Sequence, residues 1–571
     1  MAEGLGPLES LKAESQFLRG EIAAELENAS EAFSKDSSQL LKHHGSYQQD
    51  DRDARRRIRD EGRSGKHHMM MVRTRIPGGL LSAEQFAAEL SLGDLLGEGT
   101  IRLTTRQAIQ HHGIAKGNLR ELIQRINDVQ LTTLAACGDV VRNVMCCPAP
   151  FDSTIYQQIQ TLCDQFAVHF APQTGAYHEI WLRESGDEEK TLVGGGSGDQ
   201  EPIYGPSYLP RKFKIGIGFC HDNCVDVYTH DIGLLAVVRE DEVVGYNLLV
   251  GGGMGVTPSN KNTFPALGKR IAFLAPQEVL EVAEAVVRVQ RDHGNRADRK
   301  TARLKYLIHR WGLDTFRTKV EEELGRRLND PWEDDVCGFD DHLGWHTQGN
   351  GHWFYGLNIE NGRIADREKT KLKSALATIC RDISPGIRLT SHQSLLLTDL
   401  DDRQCREVTA ILKSHQVPVS ESISAVRRWS MACVAWPTCG LAITESERAL
   451  PGILDELEVE LAKLGLSAEP FTIRMTGCPN GCARPYNSDI GIVGKARNKY
   501  TLFVGGQLLG KRLNFIHREM VSRDELVPVL VPLFAFFKQD RMEAETFGDF
   551  CHRQGNDRLL EWADCYRKQS H

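Results

Sequence analysis

Apolar and polar positions along this chain follow two different periods. Leu11, Phe17, Leu18, Ile22 and Leu26 recur at helical spacing and predict a helical stretch over 11–28. The segment around it is polar, and the run 50–63 is almost entirely charged. Residues 1–69 therefore read as an N-terminal arm, solvated or docking a partner protein, ahead of a compact fold that begins near Met69. Beyond it, short alternating or β-branched runs at 70–76, 100–110, 213–219 and 243–250 predict strands. Helical stretches such as 276–292 separate them, and the Gly-rich segment 194–199 reads as a surface loop. Mixed strands and helices in this order predict an α+β protein of several domains.

One pattern occurs twice. Residues 101–107 read IRLTTRQ and residues 387–393 read IRLTSHQ. Cys146 follows Ile101 by 45 residues and Cys433 follows Ile387 by 46, and a glycine turn precedes each copy, at Gly78–Gly79 and at Gly362. A diverged duplication with a pseudo-twofold relation between its halves explains these echoes.

Composition narrows the class. At 571 residues the prior is three or four domains, and 41% hydrophobic with 26% charged residues is ordinary for a globular protein. A net charge of −8 argues against nucleic acid as a partner, while leaving room for a local basic pocket. The most apolar run, 526–537, is shorter than a membrane span and contains Pro528 and Pro532. No signal-peptide pattern opens the chain, so its 15 cysteines read as reduced thiols or metal ligands in a cytoplasm.

Four cysteines carry the strongest chemical signal. Cys433 and Cys439 form C-x5-C, and Cys478 and Cys482 form C-x3-C 39 residues further on. Two thiolate pairs can hold a tetrahedral ion or a [4Fe–4S] cluster, and the wide first spacing favours the cluster over zinc. Pro479, Asn480 and Gly481 make a tight turn inside the second pair. Cys220 and Cys224 share the C-x3-C form but lack a second pair, and Cys146–Cys147 lie well upstream, so they read as surface or packing cysteines.

Cations cluster as well. Alternation along a strand would put Arg102, Thr104 and Arg106 on one face, with Ile101 and Leu103 on the other. Arg73 with Arg75, and Lys212 with Lys214, repeat the pattern, and Arg142 lies close to Cys146. Several such pairs point to a polyanionic target inside the protein. The glycines at 251, 252, 253 and 255 could suggest a dinucleotide loop, but the third glycine of that fingerprint is missing and no Walker lysine follows. Backbone amides approaching another anionic cofactor fit the segment better.

From about residue 11 to about 555 the chain resembles the siroheme sulfite and nitrite reductases, and among them the hemoprotein subunits of bacterial NADPH-dependent sulfite reductases. HGSYQQDDRDAR, RTRIPGG, IRLTTRQAIQHHG, RNVMC, YLPRKFK, GNRADRKTA, SMACVAWPTC and TGCPNGCARP carry the resemblance. It implies a three-domain fold with an internal pseudo-twofold repeat: a ferredoxin-like pair at 70–134 and 344–420, a siroheme-binding domain at 135–343, and an iron–sulfur and siroheme domain at 421–571. It implies six-electron reduction of sulfite to sulfide in sulfate assimilation, at a siroheme coupled to a [4Fe–4S] cluster. Cys433, Cys439, Cys478 and Cys482 then hold the cluster, and Cys482 also bridges to the siroheme iron. Arg73, Arg142, Lys212 and Lys214 fall on positions that grip the substrate anion. Arg102, Thr104, Arg106, Gln110, Arg211, Arg303 and Asn480 fall on cofactor-binding positions. The implied electron donor is an NADPH-dependent flavoprotein subunit, with ferredoxin as the alternative; nitrite is the rival substrate. Cys147 and the cysteines of CHDNC depart from the family pattern, as does NSDIG after GCARPY. A zinc protein without catalysis and a nucleotide-dependent dehydrogenase are the readings from other classes.

Overall fold

A computed structural model describes residues 6–177, 179–182, 191–195 and 200–569. Among the described residues the strands form four five-stranded sheets and one two-stranded ribbon. In the first sheet Ser46–Asp50, His68–Arg73, Ile109–Ile114 and Ile101–Leu103 run antiparallel, and the fifth strand, Arg363–Ile364, comes from the other half of the chain. The second sheet repeats this plan with Gly344–Thr347, Trp353–Leu357, Leu395–Leu400 and Gly386–Leu389, and borrows Leu80–Leu81 from the first half. This exchange of edge strands closes both sheets around one apolar cluster, which Ile101, Leu103, Ile387 and Leu389 share.

The duplicated motif sits at that exchange. Gln107 and Gln393 are each fully buried and take positive φ, +50° and +65°. Gln107 accepts from the Cys146 amide at 3.2 Å and donates to the Gly78, Cys146 and Leu389 carbonyls at 2.9–3.1 Å. Gln393 accepts from the Ala432 amide at 3.2 Å and donates to the Asn361 carbonyl at 3.2 Å. Each amide side chain thus pairs backbone groups that meet from separate segments, groups that would otherwise be buried without partners.

The third and fourth sheets are a second matched pair. Met145–Cys146, Ile215–Phe219, Ile232–Arg239, Glu242–Val250 and Lys269–Leu274 lie in that spatial order. Ser430–Ala432, Ile473–Thr476, Ile490–Ala496, Lys499–Val504 and Phe515–Ser522 lie in the same order. Both begin with two parallel pairings and end with two antiparallel ones. The registers agree: Ile215 opposes Ile232 as Ile473 opposes Ile490, and Cys146 opposes Ile217 as Ala432 opposes Met475. This corrects the sequence alignment of the repeat by one residue. The mate of Cys433 is Cys147, and each lies 46 residues beyond the isoleucine that opens its motif.

Other expectations shift too. The N-terminal segment is not a detached arm. Lys12 is buried, donates to the Leu209 carbonyl at 2.8 Å and pairs with Glu9 at 2.6 Å and Asp139 at 3.6 Å, while Ser46–Asp50 is a strand of the first sheet. Lys12 is thus satisfied inside a buried ion network, whereas the charged run 50–63 stays exposed or half-exposed as expected. The helical stretch at 11–28 is two helices, Pro7–Glu14 and Ile22–Glu27, interrupted by positive φ at Gln16, Phe17 and Leu18. The run 100–110 is broken after Leu103 by the turn that carries Gln107, so strand alternation does not govern Thr104 and Arg106. In the Gly-rich segment, residues 194 and 195 end the strand Thr191–Gly195, and 196–199 lie outside the described residues. The apolar run 526–537 is part of a helix, Leu526–Asp540, packed in the core of the fourth sheet. Among the described residues no helix is long and apolar enough to cross a membrane.

Candidate functional site

The parallel strands Ser430–Ala432 and Ile473–Thr476 end side by side, and each delivers a cysteine just past its end, Cys433 one residue beyond the first and Cys478 two beyond the second. The Cys433 amide continues the ladder to the Met475 carbonyl at 3.1 Å, and the Gly477 amide points at the Cys433 sulfur at 3.4 Å. The 439 loop folds back onto the same corner through the Ile443 amide, which donates to the Gly477 carbonyl at 2.8 Å. Arg52 clamps that loop from outside: it donates to the Cys439 carbonyl and, at 2.7 Å, to the Ala442 carbonyl, and lies 4.3 Å over the Trp436 ring. Gly481 takes φ +63° in the second pair's turn, where a side chain would press on the Met254 carbonyl. The glycine segment at 251–255 covers that turn, with the Val256 amide donating to the Pro479 carbonyl at 2.9 Å.

The four sulfurs share one electrostatic neighbourhood. Burial and then the Cys482 thiol raise the pKa of Cys433, of Cys439 and of Cys478, the last to about 12. Asn480 does not reach outward but donates to the Cys478 sulfur at 3.4 Å. Thiols held protonated in this way become thiolates only around a cationic centre, and four of them in two pairs are the donor set of an iron–sulfur cluster. Of the four, Cys478 is buried, Cys433 and Cys439 are half-buried, and Cys482 is exposed.

Around Cys482 the cations converge. Lys212 is pushed down to about 7 by burial and by Arg211, Arg142 and Arg303, with Cys482 pulling the other way. Lys214 is driven well below its ordinary value by burial, Arg106, Lys212 and Arg303. Arg106 falls to about 9 through burial, Arg142, Arg484 and Arg303, and Arg211 to about 10 through burial, Arg299 and Arg142. So many like charges held together are strained until an anion joins them. Arg106 spends its NH1 on His230 Nδ1 at 3.1 Å and its NH2 on the Asn143 carbonyl at 2.5 Å, and its Nε is buried without a partner. Burial opposes the charge of Arg142, but Tyr47, Cys137 and Asp139 hold its pKa above the ordinary value. Arg73 donates to Cys137 at 3.0 Å and keeps a buried, unpartnered Nε.

Several expected site residues are already committed elsewhere. Arg102 pairs with Glu447 at 2.7 Å and donates to the Ala432 carbonyl at 2.8 Å, behind the cluster corner. Arg303 is a buried partner of Asp231 at 2.6 Å and of the Gly252 carbonyl at 3.2 Å; a side chain on Gly253 would lie 2.5 Å from its guanidinium. Gln110 donates to the Met71 sulfur at 3.4 Å, Thr104 accepts from the Arg106 amide at 3.2 Å, and Arg75 donates to the Ala167 carbonyl at 2.7 Å. These residues are held by partners within the protein. Sequence reading missed Lys305, whose Nζ ties the Gly253 and Gly255 carbonyls at 2.9 and 2.8 Å, and Tyr47, which faces Arg142. Neither has a local sequence signal.

A family model for the nitrite and sulphite reductase 4Fe-4S domain matches residues 137–328 and 424–570. One for the nitrite/sulfite reductase ferredoxin-like half domain matches 62–129 and 346–415. The chain belongs to the nitrite and sulphite reductase family. This family member is 43% identical over 560 residues to a protein of Staphylococcus saprophyticus named sulfite reductase [NADPH] hemoprotein beta-component, covering 97% of this chain and 96% of the relative. A protein of the same name from Geobacillus thermodenitrificans is 42% identical over 554 residues, with 96% and 95% covered. Among solved structures, that of the Mycobacterium tuberculosis NirA protein matches this reductase at a TM-score of 0.79 with 26% identity, covering 98% of each chain. The pseudo-twofold α+β fold expected from the repeat is thus the family's, and the 4Fe-4S description accords with the four-cysteine corner.

Proposed function

We propose that this chain is the hemoprotein component of an NADPH-dependent sulfite reductase and reduces sulfite to sulfide by six electrons in sulfate assimilation. The observation that carries this reading is the ring of mutually repelling cations around the one exposed cysteine of the four-thiol corner. A siroheme, with its many carboxylates, and an oxyanion substrate are both polyanions that relieve this repulsion. In this reading Cys433, Cys439, Cys478 and Cys482 would hold the cluster, and Cys482, the exposed one of the four, would be the thiol nearest the siroheme. Arg106 and Arg211 meet siroheme carboxylates, while Arg102, Thr104, Gln110, Arg303 and Asn480 support the surrounding walls. Arg73, Arg142, Lys212 and Lys214 hold sulfite. When bound, the siroheme and the cluster would supply one-electron chemistry at this site.

The chain's own groups supply protons and restraint. A Lys212 ammonium pushed down to about 7 gives up a proton from Nζ near neutral pH and regains it, as a general acid must. Arg142, held above its ordinary pKa, stays charged and fixes the anion. Electrons come from a flavoprotein subunit with its own NADPH site.

The test is the visible spectrum of the purified protein, followed by steady-state reduction of sulfite and of nitrite with a common donor. A siroheme spectrum with sulfite favoured in kcat/KM is expected. A protein colourless after anaerobic reconstitution with iron and siroheme, or one that favours nitrite, overturns the assignment.

A further inference from the structure

The pseudo-twofold operation has a chemical consequence at the other corner. Identical registers place Cys147 where Cys433 stands, Cys220 where Cys478 stands and Cys224 where Cys482 stands. Asp226 and Arg484, two residues past the second cysteine of each C-x3-C, both take φ +53° and open equivalent turns, Val227–Thr229 and Pro485–Asn487. They also pair with each other at 2.5 Å. Thr105 donates to the Cys482 carbonyl at 2.9 Å, and its counterpart Ser391 donates to the Cys224 carbonyl. C-x3-C at 220 and 224 is therefore the duplicated image of the cluster motif, not incidental surface cysteine. Three of the four thiols have counterparts.

The image has been rebuilt. Cys147, Asp222, Cys224 and His342 offer one donor atom each, all within 4.8 Å of one another, and all four residues are buried. Asp222 Oδ2 lies 2.8 Å from the Cys147 sulfur and 2.9 Å from His342 Nε2, and Nε2 lies 3.4 Å from the Cys147 sulfur. The surroundings are fixed. Asp222 Oδ1 accepts from the Cys224 amide at 3.0 Å, the His342 amide donates to Asp340 at 2.8 Å, and Phe151 meets the His342 ring edge-on. Among the described residues the ion-pair partner of Asp222 is His342, with no lysine or arginine on it. A cubane of four irons does not fit among atoms this close, whereas one small ion does.

We propose that Cys147, Asp222, Cys224 and His342 form a closed structural site for a single zinc ion. Two thiolates, one imidazole nitrogen and one carboxylate oxygen are a tetrahedral zinc set. Donors around zinc sit about 3.3–3.8 Å apart, so binding opens the closest pair here by roughly half an ångström or slightly more. The ion replaces the thiol protons and links three separate pieces of chain: the end of the strand Met145–Cys146, the turn after Ile215–Phe219, and the connector at 342 that leads into the second ferredoxin-like half. Chemistry is left to one corner of the duplication, and the other becomes a clasp.

Elemental analysis of the cofactor-loaded protein tests this, with zinc and iron measured in the same sample. About one zinc per chain is expected beside the full iron content, falling to near none in Cys224→Ala and in His342→Ala while iron stays. Zinc below about a tenth per chain in iron-replete wild type, or a Cys147–Cys224 disulfide in protein prepared anaerobically, overturns the site. Zinc retained in both variants overturns it as well and points to the more exposed trio Cys220, His221 and Cys337. Zinc X-ray absorption of the wild type needs no variant to fold. Two sulfur and two nitrogen or oxygen neighbours are expected, and four sulfurs would mean zinc had entered the cluster corner instead.

Discussion

The two corners at residues 145–231 and 430–489 have the same strands, the same register and the same turns, yet opposite chemistry. At the second, three thiols are buried or half-buried and Cys482 is exposed among cations. At the first, Cys224 is buried against Asp222 and His342, and Cys220 has turned to a half-buried place beside Cys337. The backbone scaffold is thus neutral between a redox centre and a clasp. What separates them is the fourth donor and what enters from outside the repeat: Cys439, on a loop of its own corner clamped by Arg52, at one, and His342 at the other.

The largest effect expected is at the position where the two corners differ most in exposure. Cys482→Ser abolishes sulfite reduction and uncouples the cluster from the siroheme in the visible spectrum; full activity would break the assignment. Next, Lys214→Met lowers kcat/KM for sulfite by about 10- to 100-fold, the range for a lost charge-assisted contact to the anion, while siroheme and iron content stay unchanged. Loss of siroheme from that variant would make Lys214 a cofactor ligand instead.

The crossing glutamines sharpen the comparison in stability. Gln107→Ala strands more backbone groups than Gln393→Ala, since Gln107 makes four hydrogen bonds of this kind and Gln393 two. Losses of about 3 and about 2 kcal/mol are expected, read as shifts of the thermal midpoint in that order. Equal shifts would mean the two crossings are energetically the same.

The smallest effect is in pH dependence. A bound anion favours the charged form of Lys212, whose pKa without it is pushed down to about 7 by burial and neighbouring arginines. Below that pH the ammonium is already present; above it, anion binding must take up a proton. KM for sulfite should therefore rise with pH above about 7, by up to about tenfold per unit more than in Lys212→Met. Sulfite's own ionisation is common to both proteins, so parallel slopes would remove Lys212 from the anion site.

Legibility in the sequence tracked the range of the interaction. The cysteine quartet could be read because spacing within C-x5-C and C-x3-C is local and its chemistry has few alternatives. Strand alternation assigned Arg102 to a shared cationic face, but its guanidinium is taken by Glu447, 345 residues away. Arg303 is likewise taken by Asp231, 72 residues away. A cation's partner is fixed by folding, so a row of arginines does not say which of them stay free. The docking of the N-terminal segment was illegible for the same reason, since Lys12 finds Asp139 only in the folded chain.

By itself, the sequence determined the α+β class, the duplication, the four thiols and the family, because each rests on periodicity or on motifs of a few residues. Tertiary structure alone decided the exchange of edge strands, the pairing of Cys147 rather than Cys146 with Cys433, and the meeting of Cys147, Asp222, Cys224 and His342. Those depend on sheet register and on a residue 118 positions beyond Cys224, and register is set by how whole sheets pack.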